Sequence, residues 1–310
     1  MPARGAHDEE VQGMRSFLFV PGDSERKQAK AVATAADALI LDLEDSVDVS
    51  QLPVARARVH ELLRSRPERA KQQLWVRVNA LSTGLMLEDL AAVMADAGEG
   101  SPDGIVLPKV SDPSELEEVA HYLAALEVRG ARELGSTRLL VIATETPRAL
   151  LLLPRYLESL THNVTRRLVG LTWGSEDLGA ALGVTARVDD SGAPTLAFQA
   201  ARTSCLLTAV ALGVQAIDGV HVDFRDKEGL ARELNAARRD GFTGKLAIHP
   251  DQVEAINTAF MPTDAEVAHA RSVIAAFAAA PGAGVVSLDG QMVDRPHLIQ
   301  AQRVLSALER

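Results

Sequence analysis

Eight short aliphatic runs, each followed by a longer stretch of helical period, constrain this chain more than any other feature. The runs are SFLFVPG at 16–22, ALILDLED at 38–45, LWVRVN at 74–79, GIVLPKV at 104–110, RLLVIATE at 138–145, RLVGLTWGSED at 167–177, IDGVHVD at 217–223 and GKLAIHP at 244–250. Most are nearly unbroken apolar segments, the pattern of strands buried on both faces. The stretches between them carry helix signals. SERKQAKAVATAA opens on Ser24 as a cap, and PVARARVHELL has Pro53 in its first turn. PSELEEVAHYLAAL combines Pro113 with acidic residues that suit the positive end of a helix dipole. Strand–helix alternation repeated eight times predicts an α/β fold, a parallel (β/α)8 TIM barrel. A doubly wound open sheet is the alternative. It usually has fewer strands and a glycine-rich first turn, and no GxGxxG follows the first run.

The 310 residues suit one large domain with a small appendage. We expect a loose tail at 1–13, a catalytic barrel at 14–261 and a C-terminal extension at 262–310 that serves as a lid or an oligomer contact. Within the barrel, VDDSGAP at 188–194 reads as a polar turn or small insertion before the helix TLAFQAARTSCLLTAVALG. In the extension, PGAG at 281–284 breaks a helical pattern ahead of VVSLDGQMVDRP and a final helix.

With 47% hydrophobic residues and only 4% aromatics, the core must be aliphatic. The net charge of -10, without any Lys/Arg run, argues against a nucleic-acid binder, though a pocket in an acidic protein can still be locally basic. Cys205 is the only cysteine, so no intramolecular disulfide forms; it reads as a buried small hydrophobe in a reducing compartment. The start, MPARGAHDEEVQG, has no apolar core of a signal peptide, and runs such as ALLLL are too short to cross a bilayer. The expectation is a cytoplasmic protein with no membrane partner.

In a TIM barrel the chemistry sits at the C-terminal ends of the strands. Reading those positions gives Glu44 and Asp45 after the second run, Arg77 and Asn79 in the third, Lys109 in the fourth and Glu145 closing the fifth. Glu176 and Asp177 follow the sixth, Asp223 the seventh and His249 the eighth. Any one of these could be a solvated loop residue or a helix cap; the set is more informative. Glu145 and Asp177 end adjacent strands and could share one hard cation through oxygen, leaving positions for water and substrate. No cysteine cluster or histidine pair has zinc-ligand spacing, so magnesium or manganese is favoured. Arg77 projects into the same rim, where a guanidinium takes a carboxylate bidentately or stabilises an enolate oxygen. In the first loop, Gly22 permits a tight turn, and Arg26 and Lys30 share one helix face. That face is either a phosphate site or a solvated basic surface. His221 reads as a core-facing or satisfied histidine within a strand. Neither GxSxG nor GxxxxGK[ST] occurs.

LFVPGDSERKQAKA, LILDLEDSV, VRVN, GIVLPKV, ATETPRA, LTWGSEDLGAALG, AIHPDQV and DGQMVDRP occur in that order. Together they resemble the citrate lyase beta subunit-like family within the HpcH/HpaI aldolase group, over residues 14–300. The closing GQMVD is similar to the longer, stand-alone members that act as malyl-, citramalyl- or citryl-CoA lyases. The resemblance implies magnesium ligands at Glu145 and Asp177, a substrate arginine at Arg77, and an acidic pair at Glu44 and Asp45 bonded to metal waters. It implies coenzyme A phosphates held by Arg26 and Lys30. It also places at Asp294 the aspartate that, in longer relatives, reaches the active site of a neighbouring subunit. By sequence alone Asp294 is a surface acid.

The implied reaction is cleavage of a 3-hydroxyacyl-CoA thioester into an acyl-CoA and a 2-oxo acid, by a homo-oligomer that is a trimer or a multiple of one. Alternatives on the same site are a malyl-CoA-type thioesterase, a malate synthase-like condensing enzyme, and a lyase subunit acting on a carrier-protein thioester. An aldolase acting on free acids and a non-catalytic subunit are further alternatives, which the basic first loop and the complete acid–arginine set argue against.

Overall fold

The computed structural model describes residues 13–69, 71–96, 100–190 and 192–308. The expected N-terminal tail therefore falls almost wholly outside the described residues. Eight parallel strands close into a barrel in sequence order: β1 Ser16–Pro21, β2 Ala38–Asp42, β3 Gln73–Arg77, β4 Gly104–Leu107, β5 Arg138–Ile142, β6 Leu168–Thr172, β7 Gln215–Asp218 and β8 Gly244–Ala247. β8 pairs back onto β1 through Ser16–Lys245, Phe17–Leu246 and Leu18–Ala247. The open-sheet alternative is excluded by this closure.

Side chains that alternate inward from the strands fill the barrel. Phe17, Ala38, Ile40, Trp75, Val106, Leu140, Ile142, Val169, Ile217 and Leu246 form one apolar cluster, with Met14 beneath them. The size of Trp75 is accommodated by its neighbour across the β3–β4 pair. A Cβ at Gly104 would lie 2.2 Å from the indole ring, so the ring occupies the space that any side chain there would need.

The helices follow the strands: α1 Glu25–Val32, α2 Leu52–Ser65, α3 Met86–Val93, α4 Glu115–Arg129, α5 Pro147–Leu152, α6 Glu176–Leu182, α7 Leu196–Leu212, α8 Lys227–Asp240 and α9 Val253–Ala259. Ser24 stands at the N-cap position of α1, but its side chain makes no capping bond. The polar turn before α7 is closed by a bridge between Val188 and Pro194. Cys205 is buried in α7, and burial pushes its thiol well up.

A buried ion pair ties the helices to the bottom of the barrel. Arg167, just before β6, gives Nη1 to Glu127 Oε1 at 2.6 Å and Nη2 to Oε2 at 2.8 Å. The same carboxylate, at the end of α4, accepts the amides of Gly135 and Thr137, each at 2.8 Å. Burial opposes ionisation of Glu127, but these donors outweigh it and hold the carboxyl below its ordinary range.

The seventh strand lies earlier than its sequence pattern suggests. IDGVHVD predicts a strand at 217–223, whereas β7 spans Gln215–Asp218 and the VHV run sits in the loop beyond. His221 is therefore not a strand residue. It is buried and satisfied, with Nδ1 2.9 Å from Glu233 Oε1 and Nε2 3.2 Å from the Asp226 carbonyl. Asp223 is displaced from the rim list for the same reason, and Asp218 ends the strand instead. Asp218 accepts Trp173 Nε1 at 2.6 Å and Arg202 Nε at 3.0 Å, and pairs with Lys245.

A first compact unit runs to Ile256, and a second begins at Asn257. The second holds α10 Asp264–Ala279, the antiparallel hairpin β9 Val285–Leu288 and β10 Gln291–Asp294, and α11 Arg295–Ser306. The hairpin turns on Asp289 and Gly290, both at positive φ, which an Asp-Gly pair adopts readily. Its own small core includes Ala270, Val273, Val293 and Ala301. Among the described residues, no helix is long and apolar enough to cross a membrane.

Candidate active site

The ends of β2 to β6 are consecutive around the barrel, and each contributes to one charged cluster. The alternation that points Ala38 and Ile40 inward continues to Asp42, at the last position of β2. Its partner in register is Arg77, the last residue of β3. Arg77 grips Asp42 in parallel, Nε to Oδ1 and Nη2 to Oδ2, both at 2.6 Å. Nη1 lies 2.7 Å from Glu44 Oε2, close enough for charge pairing though out of line for a hydrogen bond. The guanidinium carbon sits 4.8 Å from the centre of the Phe19 ring of β1. Two of the five guanidinium N–H groups are thus bonded to Asp42, and three are left for another ligand. Burial alone would lower the Arg77 pKa, but Asp42 and Glu44 raise it, so its charge is secure.

Lys109, beyond β4, links the rest. Its backbone N–H donates to Glu145 Oε2, and its ammonium donates to Glu44 Oε1. The same ammonium reaches Asp45 Oδ1 and Oδ2 at 2.8 and 2.9 Å and lies 3.4 Å from Asp177 Oδ1. Both engagements are made from an unusual backbone: Lys109 has φ of 53°, the left-handed region. A non-glycine residue held there costs on the order of 1–3 kcal/mol and persists only where its surroundings fix it.

Glu145 lies three residues beyond the end of β5 and is buried, whereas Asp177, in the first turn of α6, is partly open. Burial pushes the Glu145 carboxyl up, and the charges of Asp177 and Glu44 push it further, against the Lys109 amide and Arg77; the result is about 8. Burial likewise raises Glu44, with Arg77 and Lys109 pulling the other way. Gly174 matters here through space. A Cβ on it would fall 2.6 Å from Glu145 Cγ, so the WGSED turn passes directly behind the carboxylate.

Five carboxylates, Asp42, Glu44, Asp45, Glu145 and Asp177, therefore face two cations. That excess, and a buried carboxyl raised by like charges, is an environment that a divalent cation relieves. Among the described residues, no three His, Cys, Asp or Glu side chains converge as a ligand set. Glu145 and Asp177 would supply two carboxylates and leave the other positions to water and substrate, an arrangement that fits magnesium.

Of the residues singled out from sequence, Glu44, Asp45, Arg77, Glu145 and Asp177 come together in this cluster. Glu176 instead pairs with Arg187. Arg26 and Lys30 lie exposed on α1. Gly22 lies in the turn expected of it and also packs against β2: its N–H bonds the Asp42 carbonyl at 2.8 Å, and a Cβ would meet that oxygen at 2.6 Å. His249, past β8, stacks on Phe224 with ring centres 4.3 Å apart. Asp294 caps α11 in the second unit, with Oδ1 2.5 Å from His297 Nδ1. Asp42 and Gly174 went unread in the sequence. The inward period of β2 points to Asp42; nothing local signals Gly174.

A closed (β/α)8 barrel with its charged side chains gathered at the C-terminal rim has the architecture of a barrel enzyme. This chain belongs to the HpcH/HpaI aldolase/citrate lyase family, whose model matches residues 15–250, and it is an enzyme of the carbon–carbon lyase type. It is 37% identical over 297 residues to a (3S)-malyl-CoA thioesterase of Cereibacter sphaeroides, covering 95% of this chain and 94% of that one. It is 37% identical over 298 residues to the citrate lyase subunit beta of Escherichia coli, covering 95% and 93%. Among solved structures, protein CitE from Mycobacterium tuberculosis in complex with magnesium, acetoacetate and coenzyme A is similar at a TM-score of 0.74 and 32% identity, covering 96% of this chain and 100% of that one.

Proposed function

We propose that the protein cleaves a 3-hydroxyacyl-CoA thioester of the citryl-, malyl- or citramalyl-CoA type into an acyl-CoA and a 2-oxo acid, with magnesium, or manganese in its place, bound at Glu145 and Asp177. The observation that carries this reading is the convergence of those two carboxylates with a charged Arg77 at one side of the barrel's C-terminal rim, at or beyond the ends of β3, β5 and β6.

Retro-Claisen cleavage removes the hydroxyl proton, breaks the C–C bond and leaves a thioester enolate that must be protonated. Arg77, fixed by Asp42, offers its remaining N–H groups to the oxygens of the departing 2-oxo acid. A bound magnesium ion would supply Lewis-acid polarisation of the same oxo acid. Glu44 and Asp45 would bond water at the metal, and Arg26 and Lys30 would meet the coenzyme A phosphates. Asp294, supplied from a neighbouring subunit, is our candidate for protonating the enolate. That role requires a homo-oligomer, which we take to be a trimer or a multiple of one. The lone buried Cys205 fits a cytoplasmic setting.

The similarity to a malyl-CoA thioesterase favours a second reading, in which water cleaves the thioester and the carbon skeleton stays intact. One experiment separates the two. The protein is incubated with a panel of hydroxyacyl-CoA thioesters, with Mg²⁺ or EDTA, and oxo acids are trapped with phenylhydrazine. We expect glyoxylate, pyruvate or oxaloacetate, lost with EDTA and with Asp177→Ala. Rising free thiol without an oxo acid would replace the lyase with the thioesterase.

A further inference from the structure

We infer that Lys109 is a positioning residue that sets which divalent cation the rim accepts, by holding Glu44 and Asp45 out of the metal's immediate shell. This rests on the magnesium reading of Glu145 and Asp177 above.

The geometry that supports it is the reach of one residue to four carboxylates. The ammonium takes both oxygens of Asp45 and one of Glu44, and its third neighbour is Asp177 Oδ1 at 3.4 Å. The amide of the same residue donates to Glu145. Lys109 addresses these two sets from a backbone φ of 53°, in the left-handed region that non-glycine residues rarely occupy. A lysine ammonium has three donors and no acceptor, so it binds carboxylates and repels a metal ion.

Magnesium takes an octahedron of short bonds, keeps several waters and uses one or two carboxylates. Calcium accepts six to eight oxygens in a loose shell and gains from each added carboxylate. With Lys109 in place, Glu44 and Asp45 are occupied, and the ion meets only Glu145 and Asp177. Without the ammonium, Asp45, half exposed, can turn into the shell, and Glu44, still paired with Arg77 through Oε2, has Oε1 released to follow. The site then becomes richer in carboxylate, poorer in water and better suited to calcium.

The test uses the full-length protein as wild type, Lys109→Met, Lys109→Arg, Lys109→Gly and Asp177→Asn. Calorimetry gives the Mg²⁺ and Ca²⁺ dissociation constants, and water-proton relaxation counts the waters on bound Mn²⁺. We expect Lys109→Met to shift the Ca²⁺-to-Mg²⁺ affinity ratio at least ~10-fold toward Ca²⁺ and to remove at least one Mn²⁺-bound water, since selectivity between the two follows ligand number and site rigidity. Lys109→Arg should retain the wild-type ratio and water count. Lys109→Gly relieves the backbone while deleting the ammonium, so it should keep the fold and match Lys109→Met in ratio if the methionine variant proves unstable. An equal rise in affinity for both ions, with ratio and water count unchanged, would reduce Lys109 to a counter-charge and overturn the inference. Wild type and Asp177→Asn binding Mg²⁺ equally would instead overturn the metal site on which it depends.

Discussion

Arg77 and Asp42 stand opposite each other in the β2–β3 register and meet through two parallel bonds of 2.6 Å. The pair fixes the plane of the guanidinium, so its free N–H groups have one direction in which to point. Asp42→Asn keeps the size but loses one acceptor and the charge. Misplacement of a substrate-holding group by about 1 Å costs ~100-fold in rate, so kcat/KM should fall by about that factor. Arg77→Lys should lose as much, because an ammonium cannot reproduce the fork. Steady-state assays of the two variants on the substrate found for wild type check this. Unchanged kinetics in Asp42→Asn would mean that Arg77 is held by Glu44 and Phe19 alone.

Gly174 predicts a metal phenotype from a residue that has no side chain. A methyl group there would fall 2.6 Å from Glu145 Cγ and push the carboxylate aside. Disturbing groups that orient a metal ligand typically costs 10–100-fold in metal affinity. Gly174→Ala should therefore weaken Mg²⁺ binding by about that range, read by calorimetry, and leave the circular dichroism spectrum unchanged.

Much of this was legible in the chain. The strands could be read because a parallel sheet covered by helices demands apolar side chains on both faces, and SFLFVP or LVGLT can be little else. The same rule misplaced β7, because the apolar VHV after Asp218 serves the loop rather than the sheet, while the strand begins on the polar Gln215. Glu44, Glu145 and Asp177 stood out as acids where strands end. The connections among them did not. That Lys109 joins four carboxylates goes with a positive φ, which a lysine seldom advertises, and with a barrel order that sets β4 midway between β2 and β6. Asp294 was raised by family resemblance alone, and its carboxylate is engaged locally with His297.

Inside the barrel, Trp75 and Gly104 act as one unit. A Cβ at 104 would sit 2.2 Å from the ring, and the ring is fully buried with nowhere to move. Overpacking of this kind costs about 1–3 kcal/mol. Gly104→Ala should lower the urea midpoint accordingly, and Gly104→Ala with Trp75→Phe should recover part of the loss. If Gly104→Ala is neutral, the barrel interior is looser than its packing implies.

The Glu127–Arg167 pair offers the clearest pH dependence, because it lies at the N-terminal ends of the strands, away from the charged rim. Its carboxyl titrates below the ordinary 4.5 in the folded protein, so the unfolded chain binds its proton first as pH falls. The pair's contribution is thus complete above that ordinary value and is lost as pH drops through the lower, folded one. Wild-type stability should decline through this acid window, and Glu127→Gln should show a flatter profile there. At neutral pH the variant leaves Arg167 buried without its counter-charge, which costs ~3–5 kcal/mol. Replacing both residues together, as Glu127→Leu with Arg167→Met, should restore most of that stability, since a buried pair and a well-packed apolar pair are often near equal. Activity of the folded fraction should be unchanged in all of them. A double variant as unstable as the single one would show that Gly135 and Thr137, which also bond the carboxylate, are what Glu127 chiefly serves.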